Sequence, residues 1–167
     1  MNNIVLCGFM GCGKSSVGKI IASRLGKEFI DTDAYIEQSE GMTVSQIFAD
    51  AGEAAFRDIE HKACTELARQ SGLVIATGGG ALTFERNRSV FGSDTVIFMD
   101  VTFDEINQRI GGRGGRPLFR DANKARELYE QRLPAYRAAA DITVDAGGSA
   151  EEAADRIIDA INSEESE

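Results

Sequence analysis

Gly8-Phe9-Met10-Gly11-Cys12-Gly13-Lys14-Ser15 decides how this chain is read. The stretch satisfies G-x-x-x-x-G-K-[S/T]; it follows an apolar run, Asn3 to Cys7, and opens a helix-like segment from Lys14 to Leu25. Strand, glycine loop and helix in that order make a phosphate cradle. The glycines let backbone N–H groups converge on phosphate oxygens, and the helix N-terminus adds its partial positive charge. Lys14 is expected to reach the β- and γ-phosphates, and the Ser15 hydroxyl to ligate Mg²⁺. Gly11, Cys12, Gly13, Lys14, Ser15 and Ser16 are thus the expected nucleotide contacts. A dinucleotide fingerprint fails, because Ser16 stands where G-x-G-x-x-G from Gly11 needs its last glycine. The Asn-Lys-x-Asp motif of a GTPase is missing as well.

Outward from the cradle, apolar runs of four to six residues alternate with amphipathic stretches, the pattern of βα units around a parallel sheet. Strands are expected at 3–7, 27–30, 73–76, 95–99 and 141–144, buried on both faces. Helices are expected at 14–25, 32–40, 44–50, 53–70, 84–91, 103–110, 122–136 and 150–161. Thr43 and Gln46 form a capping-box pattern for the third helix. The fold class is therefore α/β: one doubly wound P-loop domain over 1–167, with a five-stranded parallel sheet and helices on both faces. Gly111-Gly112-Arg113-Gly114-Gly115-Arg116-Pro117 has too many glycines for a regular element and reads as a mobile loop. The acidic tail, 163–167, is expected to fray.

With 167 residues, 43% hydrophobic and 27% charged, the chain suits one domain with a substantial core. A formal net charge of -9 argues against nucleic acid or an anionic membrane as the main partner. The charge is unevenly spread: residues 109–137 carry +5, whereas 1–108 carry -6 and 138–167 carry -8. No run reaches the roughly 18 apolar residues of a spanning helix, and the apolar start yields to Gly8 too soon for a secretory signal, so a cytoplasmic protein is expected. Cys7, Cys12 and Cys64 lack metal or disulfide spacing and read as buried or half-buried thiols, and the single histidine, His61, is expected to face solvent or pack locally.

Asp31-Thr32-Asp33 follows the second strand, at the sheet end where open α/β folds bind ligands. One carboxylate can help hold hydrated Mg²⁺ and the other can accept a hydroxyl proton; an N-cap explains Asp31 or Thr32 nearly as well. Further motifs follow: Gln46-Ile47-Phe48, Gly52-Glu53-Ala54-Ala55-Phe56-Arg57-Asp58-Ile59-Glu60, Gly78-Gly79-Gly80, Arg116-Pro117-Leu118 and Arg132-Leu133-Pro134-Ala135-Tyr136. In this order and spacing, over residues 3–145, the chain resembles the shikimate kinases.

That resemblance implies transfer of the γ-phosphate of ATP to the 3-hydroxyl of shikimate, in a monomer with a fold similar to nucleoside monophosphate kinases. It implies a helical substrate-binding segment near 32–60 and a lid near 111–123. Asp33 is then the base that also binds the shikimate hydroxyls, with Lys14 and Arg116 beside it in catalysis. Asp31 joins Ser15 at Mg²⁺. Arg57 and Arg132 hold the carboxylate, Glu60 orients Arg57, and Gly78, Gly79 and Gly80 offer backbone contacts. Phe48 and Phe56 wall the pocket, Arg116 touches the phosphates, and Arg109 stacks on adenine. The chemistry agrees, since a compact polyhydroxylated carboxylate wants guanidinium forks and a carboxylate for its hydroxyls.

Plainer readings stand beside these. Arg57 and Glu60 at i, i+3 also suit a surface helix pair, Phe48 and Phe56 a core, Gly78–Gly80 a tight turn, Arg109 a solvated charge, and Arg132 a cover for apolar surface. Val144-Asp145-Ala146-Gly147-Gly148-Ser149 departs from the family in lacking the Arg and Pro that often cover adenine there. Two rival functions are a gluconate-type kinase and a non-catalytic nucleotide-binding regulatory module.

Overall fold

The structure, a computed structural model, describes residues 2–111 and 121–167. Its elements run β1 (Ile4–Cys7), α1 (Lys14–Leu25), β2 (Glu28–Asp31), α2 (Thr32–Glu40), α3 (Val44–Ala68), β3 (Leu73–Ala76), a 3-10 turn (Ala81–Thr83), α4 (Glu85–Val90), β4 (Thr95–Asp100), α5 (Phe103–Gly111), α6 (Ala122–Ala139), β5 (Ile142–Asp145) and α7 (Ala150–Glu164). The five strands form one parallel sheet in the order β2-β3-β1-β4-β5. The order reverses at β1, and at that point the carboxyl ends of the strands open a crevice where such folds bind ligands.

Burial follows position in the sheet. β1, β3 and most of β4 are inaccessible, as apolar runs covered on both faces must be. β2 and β5 depart from the expected two-sided burial: both are edge strands, and their residues are largely half-exposed or exposed. Both also lie one residue later than expected, which makes Asp31 the last residue of β2. A second apolar cluster, Ile36, Ile47, Phe56 and Ala63, joins α2 to α3.

The break expected between two helices at 50–53 is a kink within α3, where Gly52 takes φ 86° and ψ 173°. Thr43 and Gln46 form the expected capping box at the start of α3. The tail frays later than expected, because α7 continues through Ser163 to Glu164 and only the last residues leave the helix. The 112–120 part of the expected lid, with Arg116, lies outside the described residues, whereas Ala122 and Asn123 already belong to α6.

Asn3, a buried polar residue, ties the foot of the sheet together. Its amide Nδ2 donates to Gln70 O, 3.0 Å, and its Oδ1 accepts from Leu73 N, 3.0 Å. Asn3→Ala strips both partners in a buried place and is expected to cost about 1 to 3 kcal/mol, read as a lower urea midpoint with an unchanged slope.

Candidate active site

The glycine loop bends as its sequence requires. Gly11 and Gly13 adopt φ 83° and 94°, a region closed to most side chains, and so turn the loop back onto α1. The N-termini of α2, α3, α6 and α7 are each capped by a side chain, but that of α1 has none. Its first N–H groups therefore face the cavity without a side-chain acceptor, a good fit to a phosphate chain. That cavity, about 420 Å³, is walled by Gly11 to Val17, by Arg109 and Ile110 of α5, and by Ala146 and Gly148 to Ala150 beyond β5.

The Lys14 ammonium folds into its own loop, donating to Gly8 O (2.6 Å) and Phe9 O (3.2 Å). Ser15 Oγ donates to Asp31 Oδ2 at 2.9 Å, so the two oxygens expected to serve Mg²⁺ lie side by side at the mouth of the loop. Asp31 is also the N-cap of α2, with Oδ1 accepting from Ala34 N, and the cap leaves Oδ2 to Ser15. Among the described residues no group of three His, Cys, Asp or Glu side chains is placed to hold a metal ion.

Arg109 links the two sides of the cavity. Its guanidinium donates to Cys12 O (3.2 Å) and Gly148 O (2.8 Å) and pairs with Glu105 at 3.5 Å. The turn that lacks the family's Arg and Pro is braced from below by Arg156 of α7, which donates to Asp145 O (2.7 Å) and to Gly147 O. Nothing in the spacing of α7 pointed to Arg156.

The acceptor side gathers around Gly78–Gly80. A Cβ placed on Gly78 would meet Asp33 Oδ1 at 2.9 Å, one on Gly79 would meet Arg132 Nη1 at 3.3 Å, and one on Gly80 would meet Arg57 Nη2 at 2.7 Å. The triplet is therefore more than a turn: larger residues would displace the three charged groups packed on it. The Gly79 position also lies 3.6 Å from Met10 N, so this group adjoins the phosphate loop. Thr32, fully buried between the two aspartates, accepts from Gly78 N at 2.9 Å and fastens the triplet to the start of α2. Sequence reading gave Thr32 no role beyond a possible cap.

Arg57 Nη1 donates to Glu60 Oε1 at 2.8 Å, and Glu60 is only 1% exposed. The pair is thus buried and not an ordinary surface pair. Burial pushes Glu60 above the usual carboxylate range, and its hydrogen bond to Arg57 only partly offsets this. Phe56 and Phe84 flank the Arg57 guanidinium at 5.3 and 5.1 Å. Phe56 is buried and stacks at 4.7 Å on the more exposed Phe48, while Phe84 was missed because it reads as the start of a helix. Two donors stand out: Arg57 Nε and Arg132 Nη1 are buried with no hydrogen-bond partner among the described residues. Asp33, half-buried, is raised above its ordinary value by burial first and by the neighbouring Asp31 charge second, against the pull of Lys14.

All three cysteines are buried and unpaired, and burial pushes Cys7 and Cys64 up to about 12. His61 Nδ1 lies 2.9 Å from Asn87 Oδ1, a local packing contact.

The family profile described as shikimate kinase matches residues 10–162. A shikimate kinase of Thermodesulfovibrio yellowstonii is 41% identical over 95% of this chain and 94% of its own length. One of Dehalococcoides mccartyi is 42% identical over 86% and 83%. The solved shikimate kinase from Acinetobacter baumannii, in complex with shikimate, superposes with a TM-score of 0.91 at 37% identity, covering 98% of this chain and 94% of that one. A gluconokinase from Sinorhizobium meliloti, at 20% identity and a TM-score of 0.59, shares the fold alone. With nearly its whole length matched in sequence and in structure, this chain belongs to the shikimate kinase family.

Proposed function

We propose that the protein transfers the γ-phosphoryl group of ATP to the 3-hydroxyl of shikimate, with Asp33 receiving the hydroxyl proton and Arg57 and Arg132 holding the substrate carboxylate. The observation that carries this assignment of residues is the pair of buried guanidinium donors that make no hydrogen bond among the described residues, Arg57 Nε, with only a 3.6 Å ion pair to Glu53, and Arg132 Nη1, on the same glycine turn as Asp33. Leaving such donors unpaired is costly, and a carboxylate offers them the charge-assisted, forked bonds they are shaped for.

The uncapped start of α1 and the glycine loop suit the phosphate chain of ATP. Lys14 would exchange its loop carbonyls for phosphate oxygens. Ser15 and Asp31 would hold Mg²⁺, which neutralises phosphate charge when bound. Arg109 and the turn at Ala146–Ala150 border the space left for adenine. Asp33 sits beside both the loop and the arginines, so its carboxylate would orient the hydroxyl and accept its proton. We read the enzyme as a monomer. No helix among the described residues is long and apolar enough to cross a membrane, in keeping with our reading of a cytoplasmic enzyme.

A coupled ADP-release assay across shikimate, gluconate and nucleoside monophosphates tests the assignment. Turnover should depend on shikimate alone; equal turnover with gluconate would favour the gluconate-type reading, and none with any acceptor the regulatory one. Arg132→Ala removes one arm of the carboxylate fork and should raise the shikimate KM about ten- to 150-fold while the ATP KM stays nearly constant. Equal losses for both substrates would remove Arg132 from the carboxylate site.

A further inference from the structure

The glycine triplet has little conformational preference of its own, yet its central peptide must point one way. Ala81 N donates to Gly78 O at 3.0 Å, closing a four-residue turn over Gly78–Ala81. Gly80, its third residue, has φ -98° and ψ -6°, and Gly79 is not among the residues of positive φ. These are the dihedrals of a type I turn. The type II alternative differs by a flip of the central peptide, Gly79 C=O to Gly80 N–H, and needs positive φ at Gly80, which glycine supplies at no steric cost. A glycine turn therefore has both forms within reach.

One side chain selects between them. Tyr136 of α6 is 1% exposed, and its hydroxyl donates to Gly79 O at 2.5 Å. Burial pushes the phenol well above its ordinary range, so it remains a donor at any working pH. Because the peptide is trans, pinning the Gly79 carbonyl toward Tyr136 turns the Gly80 N–H the opposite way. That N–H has no acceptor among the described residues, and Gly80 packs against the Arg57 guanidinium. A flipped peptide would put a carbonyl oxygen where a donor now stands, facing the substrate carboxylate with the wrong charge.

We propose that Tyr136 is a positioning residue that locks the Gly78–Ala81 turn in its type I form, so that the Gly80 N–H joins Arg57 and Arg132 as a donor to the substrate carboxylate. This rests on the reading of the site as the shikimate pocket. The same helix thus delivers Arg132 and, one turn later, the hydroxyl that sets the backbone donor opposite it.

Tyr136→Phe keeps the ring stacked at 5.4 Å on Phe98 and removes only the hydroxyl. The shikimate KM should rise about two- to tenfold, with the ATP KM and the thermal midpoint close to wild type. An unchanged shikimate KM overturns the proposal, and so does a parallel rise of both KM values with a large fall in midpoint, which is the mark of packing damage. The turn is also read without catalysis, from the Gly80 amide resonance in nitrogen-labelled protein. In the unaltered protein it should move on addition of shikimate, and in Tyr136→Phe it should be displaced before any ligand is added. A Gly80 amide that ignores saturating shikimate, or one unmoved by the substitution, overturns the lock. Failure of the shikimate reading itself would instead appear as no shikimate-dependent ADP release by the unaltered enzyme.

Discussion

Arg57→Ala is expected to damage the protein twice, once in binding and once in stability. The substitution removes an arm of the carboxylate fork, and it leaves Glu60, 1% exposed, without the guanidinium that lies 2.8 Å from it. Breaking a buried pair by deleting one partner costs about 3 to 5 kcal/mol, because the remaining charge is stranded away from water. The cost should depend on pH. Burial already raises Glu60 in the folded protein above its unfolded value, and losing Arg57 raises it further. The folded state then binds the extra proton more readily than the unfolded chain, so stability is greatest on the acid side and is lost as pH rises through the folded value. Urea unfolding of Arg57→Ala should show a deficit that is large at pH 8 and much smaller near pH 5. A deficit independent of pH would mean that Glu60 does not carry it. In parallel the shikimate KM should rise at least as much as in Arg132→Ala.

Asp33→Asn is expected to lower kcat by about 10²- to 10⁴-fold, the usual weight of a positioned general base. Asparagine keeps the shape and can still hydrogen-bond a hydroxyl, but it cannot take the proton. ATP binding should therefore survive, and shikimate binding should change little, which separates loss of proton transfer from loss of positioning. The wild-type pH profile gives an independent reading. Burial and the Asp31 charge hold Asp33 above the ordinary carboxylate range, so the acidic limb of kcat/KM should lie above that range too. Activity rises as pH climbs through this limb, because the ionised form is the one that accepts a proton. Near-normal turnover by Asp33→Asn would leave Asp33 only the task of orienting the hydroxyl.

Much of this site was legible in the chain because its motifs are local. A glycine loop between strand and helix, a capping box at Thr43 and Gln46, and an acidic pair at a strand end are set by residues within a few positions of each other, and neighbouring backbone geometry follows directly. Whether Asp31 is a cap or a metal ligand was open in sequence, since both ask for the same side chain at the same place. Once Ser15 and Ala34 occupy different oxygens of one carboxylate, the alternatives cease to compete. Phe84, Thr32, Arg156 and the Tyr136 hydroxyl carried no such signal. Each acts on a partner distant in sequence: Phe84 on Arg57, Thr32 on Gly78, Arg156 on the turn after β5, and Tyr136 on Gly79.

The sequence alone therefore determined the α/β class and the position of the glycine loop between β1 and α1, because periodicity and short motifs are properties of adjacent residues. Only the tertiary structure decided that Glu60 is buried rather than on the surface, that Arg57 Nε and Arg132 Nη1 are buried without a hydrogen bond among the described residues, and which way the Gly79–Gly80 peptide faces. Burial and hydrogen-bond satisfaction depend on what the rest of the chain places around a group. Three consecutive glycines allow nearly every backbone direction, so the one they take comes from the helix packed against them.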